Sequence, residues 1–158
     1  MGFEQSLVDG ALGELIVADF LSQKFKHVVD VRKDYNFQQM DVDFLVEDNL
    51  GQYKWVEVKT DFRAHETGKM IYELSTSDHI GCFEKTKAQW IAYYVAGSGR
   101  LYMISVKKLR EYVRQNTDEL TLIKMGDNAK GYLLDIGTLE FLQIIDVQYA
   151  TMFLKDEG

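Results

Sequence analysis

Residues 40–61 read MDVDFLVEDNLGQYKWVEVKTD, and this stretch decides the architecture. Val42, Phe44 and Val46 alternate with Asp41, Asp43 and Leu45, while Val56 and Val58 alternate with Trp55, Glu57 and Lys59. A period of two puts each set on its own face of a strand. The pattern predicts two strands, over residues 40–47 and 52–60, each burying an aliphatic face and carrying charge on the other. Between them Asn49, Leu50 and Gly51 form a three-residue hairpin loop, with glycine where the backbone turns left-handed. In that register Glu47 faces Tyr53, Asp43 faces Glu57, and Asp41 faces Lys59.

Directly opposed residues have Cβ atoms about 4.5–5.5 Å apart, and like charges there repel. Two facing carboxylates therefore need a shared proton, a basic neighbour or a metal ion. A hard divalent cation fits best, because Mg²⁺ is commonly held by one or two carboxylates with waters and substrate phosphates. Lys59, two residues beyond Glu57 on the same face, points its ammonium at the same spot. Such a group can activate water and stabilise charge on a phosphate. Upstream, Leu7, Ala11, Leu12, Leu15, Ile16 and Phe20 recur at helical spacing and predict a helix over residues 3–25. Within it Glu14 has only Gly10, Ala11, Val17 and Ala18 as its near neighbours along the helix. A carboxylate in so apolar a stripe points inward only with a partner, and the hairpin cluster would provide one. With Leu12, Leu15 and Ile16 as the buried face instead, Glu14 would be an ordinary solvated acid.

A helical Glu14, a strand Asp43 and the run Glu57, Val58, Lys59 together resemble the PD-(D/E)XK nuclease superfamily, whose fold is that of restriction endonucleases and Holliday-junction resolvases. Thr60 and Asp61 resemble what often trails that motif, and the likeness extends less sharply over 81–94 and 100–113, as in small phage and bacterial members. It covers roughly residues 7–113. Two departures stand out: no proline precedes the strand acid, and Asp41 competes with Asp43 for its role. Asp43 is preferred because the hairpin register sets it opposite Glu57; Asp41 is the fallback. The resemblance implies an α/β fold with a restriction-endonuclease-like mixed central sheet flanked by helices, and Mg²⁺- or Mn²⁺-dependent hydrolysis of phosphodiester bonds, with DNA as the first substrate to test. Asp43, Glu57 and the backbone carbonyl of Val58 would hold the metal. Lys59 would position or deprotonate the attacking water, and Glu14 would serve a second shell or a second metal. Lys85 and Lys87 are the candidates for phosphate contact.

Outward from this centre the chain reads as one unit of 158 residues, with a nuclease-like core over about 3–116 and an extension over 117–158. Residues 27–33 suggest a short strand, 61–69 a polar loop, and 70–75 a strand bearing Glu73, better read as a surface acid. The segment 76–87 is irregular or briefly helical. Residues 90–96 form an apolar, aromatic strand turned by Gly97, Ser98 and Gly99 into another over 100–104. Ser105 caps a following helix with Val106, Leu109, Tyr112 and Val113 inward, and Asn116 stops it. Residues 131–136 suggest a strand, and 138–145 a helix or strand.

At 46% hydrophobic and 27% charged residues, the composition excludes collagen-like and disordered classes. Cys82 is the only cysteine, so an internal disulfide and a Cys-rich zinc site are excluded and a reducing compartment is expected. It reads as a structural cysteine, not a nucleophile. His27, His65 and His79 lack ligand spacing, and Tyr93, Tyr94 and Tyr102 read as core. No apolar run reaches membrane-spanning length. With Glu4 and Asp9 and no early Lys or Arg, the start does not read as a secretory signal, so a cytoplasmic protein is expected. The net charge of −7 disfavours non-specific nucleic-acid binding by the chain as a whole. Residues 85–114 nonetheless hold seven basic side chains against Glu111, leaving −13 elsewhere. That segment is either a phosphate-binding face or a solvated helix flank. Cutting a duplex needs two active sites, which a homodimer would supply. The rival readings are a nuclease fold without catalysis, serving as a binding or assembly module, and a protein that regulates a nuclease.

Overall fold

The computed structural model describes residues 3–76, 79–126 and 128–149. The side chain of Leu7 and residues 150–158 of the expected extension lie outside them. The protein is mixed α/β, with two sheets and flanking helices. Helix α1 (Phe3–Lys24) leads into β1 (Val28–Asp30), the short helix α2 (Tyr35–Gln39), β2 (Phe44–Glu47) and β3 (Tyr53–Asp61). Then come α3 (Ala64–Thr67), β4 (Lys69–Ser75), α4 (Cys82–Lys85), β5 (Trp90–Val95), β6 (Arg100–Ser105) and α5 (Val106–Gln115). The described chain ends with β7 (Thr121–Met125), β8 (Ala129–Asp135), α6 (Ile136–Phe141) and β9 (Ile145–Tyr149).

The larger sheet has six strands in the order β1-β2-β3-β5-β6-β9; only the central β3–β5 pair is parallel. Parallel neighbours need a crossover, and this one carries α3, β4 and α4. Strand β4 leaves the larger sheet for a second one, ordered β4-β8-β7. Residues 117–149 therefore contribute strands to both sheets, and Leu134, Ile136, Leu139, Ile144 and Ile145 lie in the main core beside Tyr72, Phe83, Ile91 and Leu109.

The hairpin register holds. Glu47 pairs with Tyr53, and Phe44 with Val56. Gly51 takes φ 77°, while Asp48 Oδ1 accepts from the backbone N–H groups of Leu50 and Gln52. The first strand, however, begins at Phe44 and not at residue 40. Asp34 accepts from the N–H groups of Asn36 and Phe37 and so starts α2. The chain then leaves the helix through Asp41 at φ 51°. Asp41 is outside the ladder and does not face Lys59.

Helix α1 docks on a face rotated from the expected one. Val17 and Leu21 are fully buried against Val56 and Val58, whereas Leu12 and Leu15 are 49% and 59% exposed. The cause is Gly13: a Cβ there would stand 2.0 Å from Thr60 Oγ1, so the helix approaches β3 where it has no side chain. Residues 13, 17 and 21 thus form the contact line, with Glu14 beside it. At α5, Ser105 Oγ accepts from the Lys108 N–H, and Val106, Leu109 and Val113 face inward as expected. Tyr93, Tyr94 and Tyr102 are buried. Among the described residues no helix is long and apolar enough to cross a membrane.

Candidate active site

Strand β2 begins at Phe44, and beyond that end a side chain takes over its pairing with β3. The Asp43 N–H donates to Val56 O at 2.9 Å, and Asp43 Oδ2 accepts from the Val58 N–H at 2.8 Å. The carboxylate thus replaces the next rung of the ladder. Because N–H and C=O of one strand residue point to the same side, the Val58 carbonyl is directed to this edge too.

Glu57 projects from the opposite face to Val56 and is only 9% exposed. It is hydrogen-bonded to Asp43, and burial, followed by the Asp43 charge, pushes its carboxyl up to about 9. Asp43 is also raised, by burial first; the Val58 N–H opposes the shift and the charge of Glu14 adds to it. The two acids thus favour sharing a proton over carrying two charges, and burial falls harder on Glu57.

Lys59 lies on the same face. Cys82, at the start of α4, brings its sulfur to this face: Sγ donates to Glu57 Oε1 across 3.8 Å, and the Lys59 charge is near enough to act on the thiol. Burial pushes the Cys82 thiol up to about 12 against the pull of Lys59, so it is uncharged at neutral pH. Burial also works against the Lys59 ammonium, but Cys82, Glu57 and Glu73 hold its pKa above the ordinary lysine value. With the thiol neutral and the Glu57 carboxyl raised, Glu73 is the remaining acid of that set. Glu73, on β4, therefore faces this cluster although its strand belongs to the second sheet. Its backbone is brought close by Gly81, where a Cβ would come within 2.1 Å of Glu73 O.

Asp41, the fallback acid, lies off the ladder but close enough for its charge to raise Glu57 and Cys82. Its Oδ2 is 3.8 Å from Lys85 Nζ, and its carbonyl accepts from Thr86 Oγ1 at 2.7 Å. The Lys87 N–H donates to Met40 O and its side chain is exposed. Glu14 is near enough to raise Asp43, yet it has its own cation: Arg32 NH1 donates to Glu14 Oε2 at 3.0 Å. The same guanidinium holds Asp30 at 2.7 Å and lies over the Phe44 ring. Sequence reasoning missed Arg32; its only signal is a basic residue amid short polar turns. It also set Cys82 apart from the chemistry, since nothing local shows that residue 82 returns to residues 57 and 59.

The structure thus brings Asp43, Glu57, Val58 and Lys59 together, adds Cys82 and Glu73, and sets Asp41, beside Lys85, and Glu14, on Arg32, at the margin of the cluster. Among the described residues no three His, Cys, Asp or Glu side chains converge as a ready ligand set. The donors present are two carboxyl groups and a carbonyl, which suit a hard cation that keeps several waters. The raised Glu57 marks a place where positive charge is short. His27 pairs with Glu47, and His65 with Glu66, away from this cluster. No family model matches the chain, and neither does any curated protein or solved structure.

Proposed function

We propose that this chain is a metal-dependent nuclease of restriction-endonuclease-like fold that hydrolyses phosphodiester bonds, with DNA as the substrate to test first. The observation that carries this reading is the carboxyl pair of half-buried Asp43 and buried Glu57, with Lys59 on the same face. Charged groups are expensive to bury, and a hairpin that draws a buried Glu57 together with a half-buried Asp43 and Lys59 has a use for them beyond packing. A helix bearing Glu14 on one face of a mixed sheet, beside the acid-bearing hairpin, supports the fold assignment.

In this reading Asp43, Glu57 and the Val58 carbonyl hold Mg²⁺ or Mn²⁺. Such an ion, when bound, polarises the phosphate and lowers the pKa of a water. Asp43 is fixed for this by the Val58 N–H. Lys59 remains an ammonium, so it orients the attacking water and neutralises charge that develops on the phosphate oxygens; it is not the base. Cys82 packs its thiol against the Glu57 carboxyl, and Arg32 keeps the Glu14 charge beside the cluster. Lys85 and Lys87 meet neighbouring phosphates.

The test is incubation of purified protein with plasmid and with branched DNA in Mn²⁺, beside a Lys59→Ala variant. Cutting that the variant loses supports the enzyme. A second reading, the fold as a non-catalytic binding or assembly module, draws support from the Glu14–Arg32 pair, which engages an acid the reaction would use. It predicts no cutting of any substrate and a thermal midpoint indifferent to Mg²⁺.

A further inference from the structure

Helix α5 carries Lys107, Arg110 and Arg114 at positions that follow one helical stripe. Together with Lys54 at the start of β3 and Trp90 at the start of β5, they line a concavity of about 470 Å³. Its remaining lining is Ala88, Gln89, Ser105 and Val106, so four cations meet there without a carboxylate. In a chain of net charge −7 this is an exceptional concentration. Arg110 is partly used: its Nε donates to Phe83 O and its NH2 to Thr86 O, each at 2.8 Å. Lys54, Lys107 and Arg114 form no ion pair with any described residue.

The bonds of Arg110 show where the pocket leads. The segment they grip, residues 83–86, begins next to Cys82, whose sulfur touches Glu57, and contains Lys85 beside Asp41. Lys87 comes next, exposed. Lys54 lies three residues before Glu57 on β3, roughly 10 Å along the strand at about 3.3 Å per residue. Its side chain leaves that strand on the Val56 face, so the link to the acid cluster runs through residues 83–87. A line of positive charge therefore runs from the acid cluster past Lys85 and Lys87 into the α5 pocket. We propose that this pocket binds the phosphate backbone of a nucleic-acid strand that continues from the Asp43–Lys59 site. The direction of the strand rests on the nuclease reading; the binding does not. Phosphates spaced along a backbone match separate cations along a groove, and this sequence-independent attraction is released as salt rises. It also explains how an acidic protein holds a polyanion: the charge is sorted to one side.

The test is binding of labelled oligonucleotides of about 20 nucleotides, single-stranded and duplex, to the full chain in EDTA, measured by fluorescence anisotropy over a range of salt. A Lys107→Gln/Arg114→Gln double variant changes two exposed side chains and leaves Arg110 in place; a thermal midpoint equal to the parent's checks its folding. It should bind at least about tenfold more weakly at about 100 mM salt, with a log–log salt slope shallower by roughly 1.4 for single strands or 1.8 for duplex, two contacts' worth. A Lys124→Gln/Lys130→Gln control, equal in charge but on β7 and β8, should bind like the parent. Unchanged binding in the double variant overturns the proposal, as does an equal loss in the control. So does polyglutamate binding with the same affinity and the same dependence on Lys107 and Arg114, which would make the pocket an acidic-peptide site. The two readings separate cleanly. Binding through Lys107 and Arg114 without cutting in Mn²⁺ upholds this inference and ends the nuclease. Cutting with unaltered KM in the double variant upholds the nuclease and ends this inference.

Discussion

The two faces of β3 are built from alternate residues of one strand and obey different physics. Val56 and Val58 meet Val17 and Leu21 of α1 in an apolar contact, and each fully buried aliphatic side chain contributes about 1.5–3 kcal/mol. Glu57 and Lys59, one peptide away, sit with Asp43, Cys82 and Glu73 in a place where burial opposes charge. One face stabilises the molecule; the other draws on that stability. Alternation lets a strand do both because neighbouring side chains never share an environment.

The contrast breaks most visibly at the charged face. In the nuclease reading Asp43→Ala lowers DNA cleavage at least a hundredfold, of the order seen for lost transition-state electrostatics. It also destabilises by about 1–3 kcal/mol, because the Val58 N–H loses its acceptor. Cleavage assays and urea unfolding on the same preparation separate the two effects. On the apolar face, Leu21→Ala should cost about 2–5 kcal/mol through the cavity it leaves, and cleavage at temperatures where the variant is folded should be nearly unchanged. Equal loss of activity would show that the faces are not independent.

Glu57→Gln sharpens the comparison through pH. The folded Glu57 holds its proton up to about 9, while the unfolded chain gives it up near the ordinary 4.5. Between those values the unfolded state binds fewer protons, so stability falls as pH rises through that window. The amide cannot ionise and removes the fall. Metal-free Glu57→Gln should therefore exceed the parent by about 1–3 kcal/mol at pH 8 and converge with it near pH 4, read as thermal midpoints across pH. A constant difference would mean that Glu57 is not the titrating group. The smallest effect belongs to Glu14→Gln. Its side chain is 37% exposed, so losing the Arg32 pair should cost less than about 1 kcal/mol. A large destabilisation would place Glu14 in the buried cluster after all.

What could be read from the chain depended on range. The hairpin register, the β5 and β6 runs and the Ser105 cap depend on residues a few positions apart, and periodicity and turn chemistry record them. The face of α1 does not: it depends on Gly13 meeting Thr60, a contact between residues 47 positions apart, and the exposed Leu12 and Leu15 suggested the wrong side. The start of β2 was hidden because the 42, 44, 46 alternation runs past Asp41, while the Asp34 cap that ends the strand pattern lies further upstream. Strand β7 escaped because Thr121–Met125 is largely exposed at the edge of a small sheet and shows little alternation. At the site, the facing of Asp43 and Glu57 came from hairpin geometry. Cys82, Glu73 and Arg32 did not, since each arrives from another part of the fold. Asp41, placed by pattern opposite Lys59, was taken out of the ladder by its own left-handed backbone, yet its charge still reaches Glu57.

The strands contributed by residues 129–149 bear on how the molecule is made. Strand β9 covers the outer edge of β6, and β8 provides the only partner of β4 among the described strands. During synthesis from the N-terminus, β4 and β6 emerge with bare backbone edges and stay so until these later residues leave the ribosome. Bare edges recruit other chains. The nascent protein is therefore most prone to aggregate in the interval just before its two sheets close, and a chaperone would matter most then.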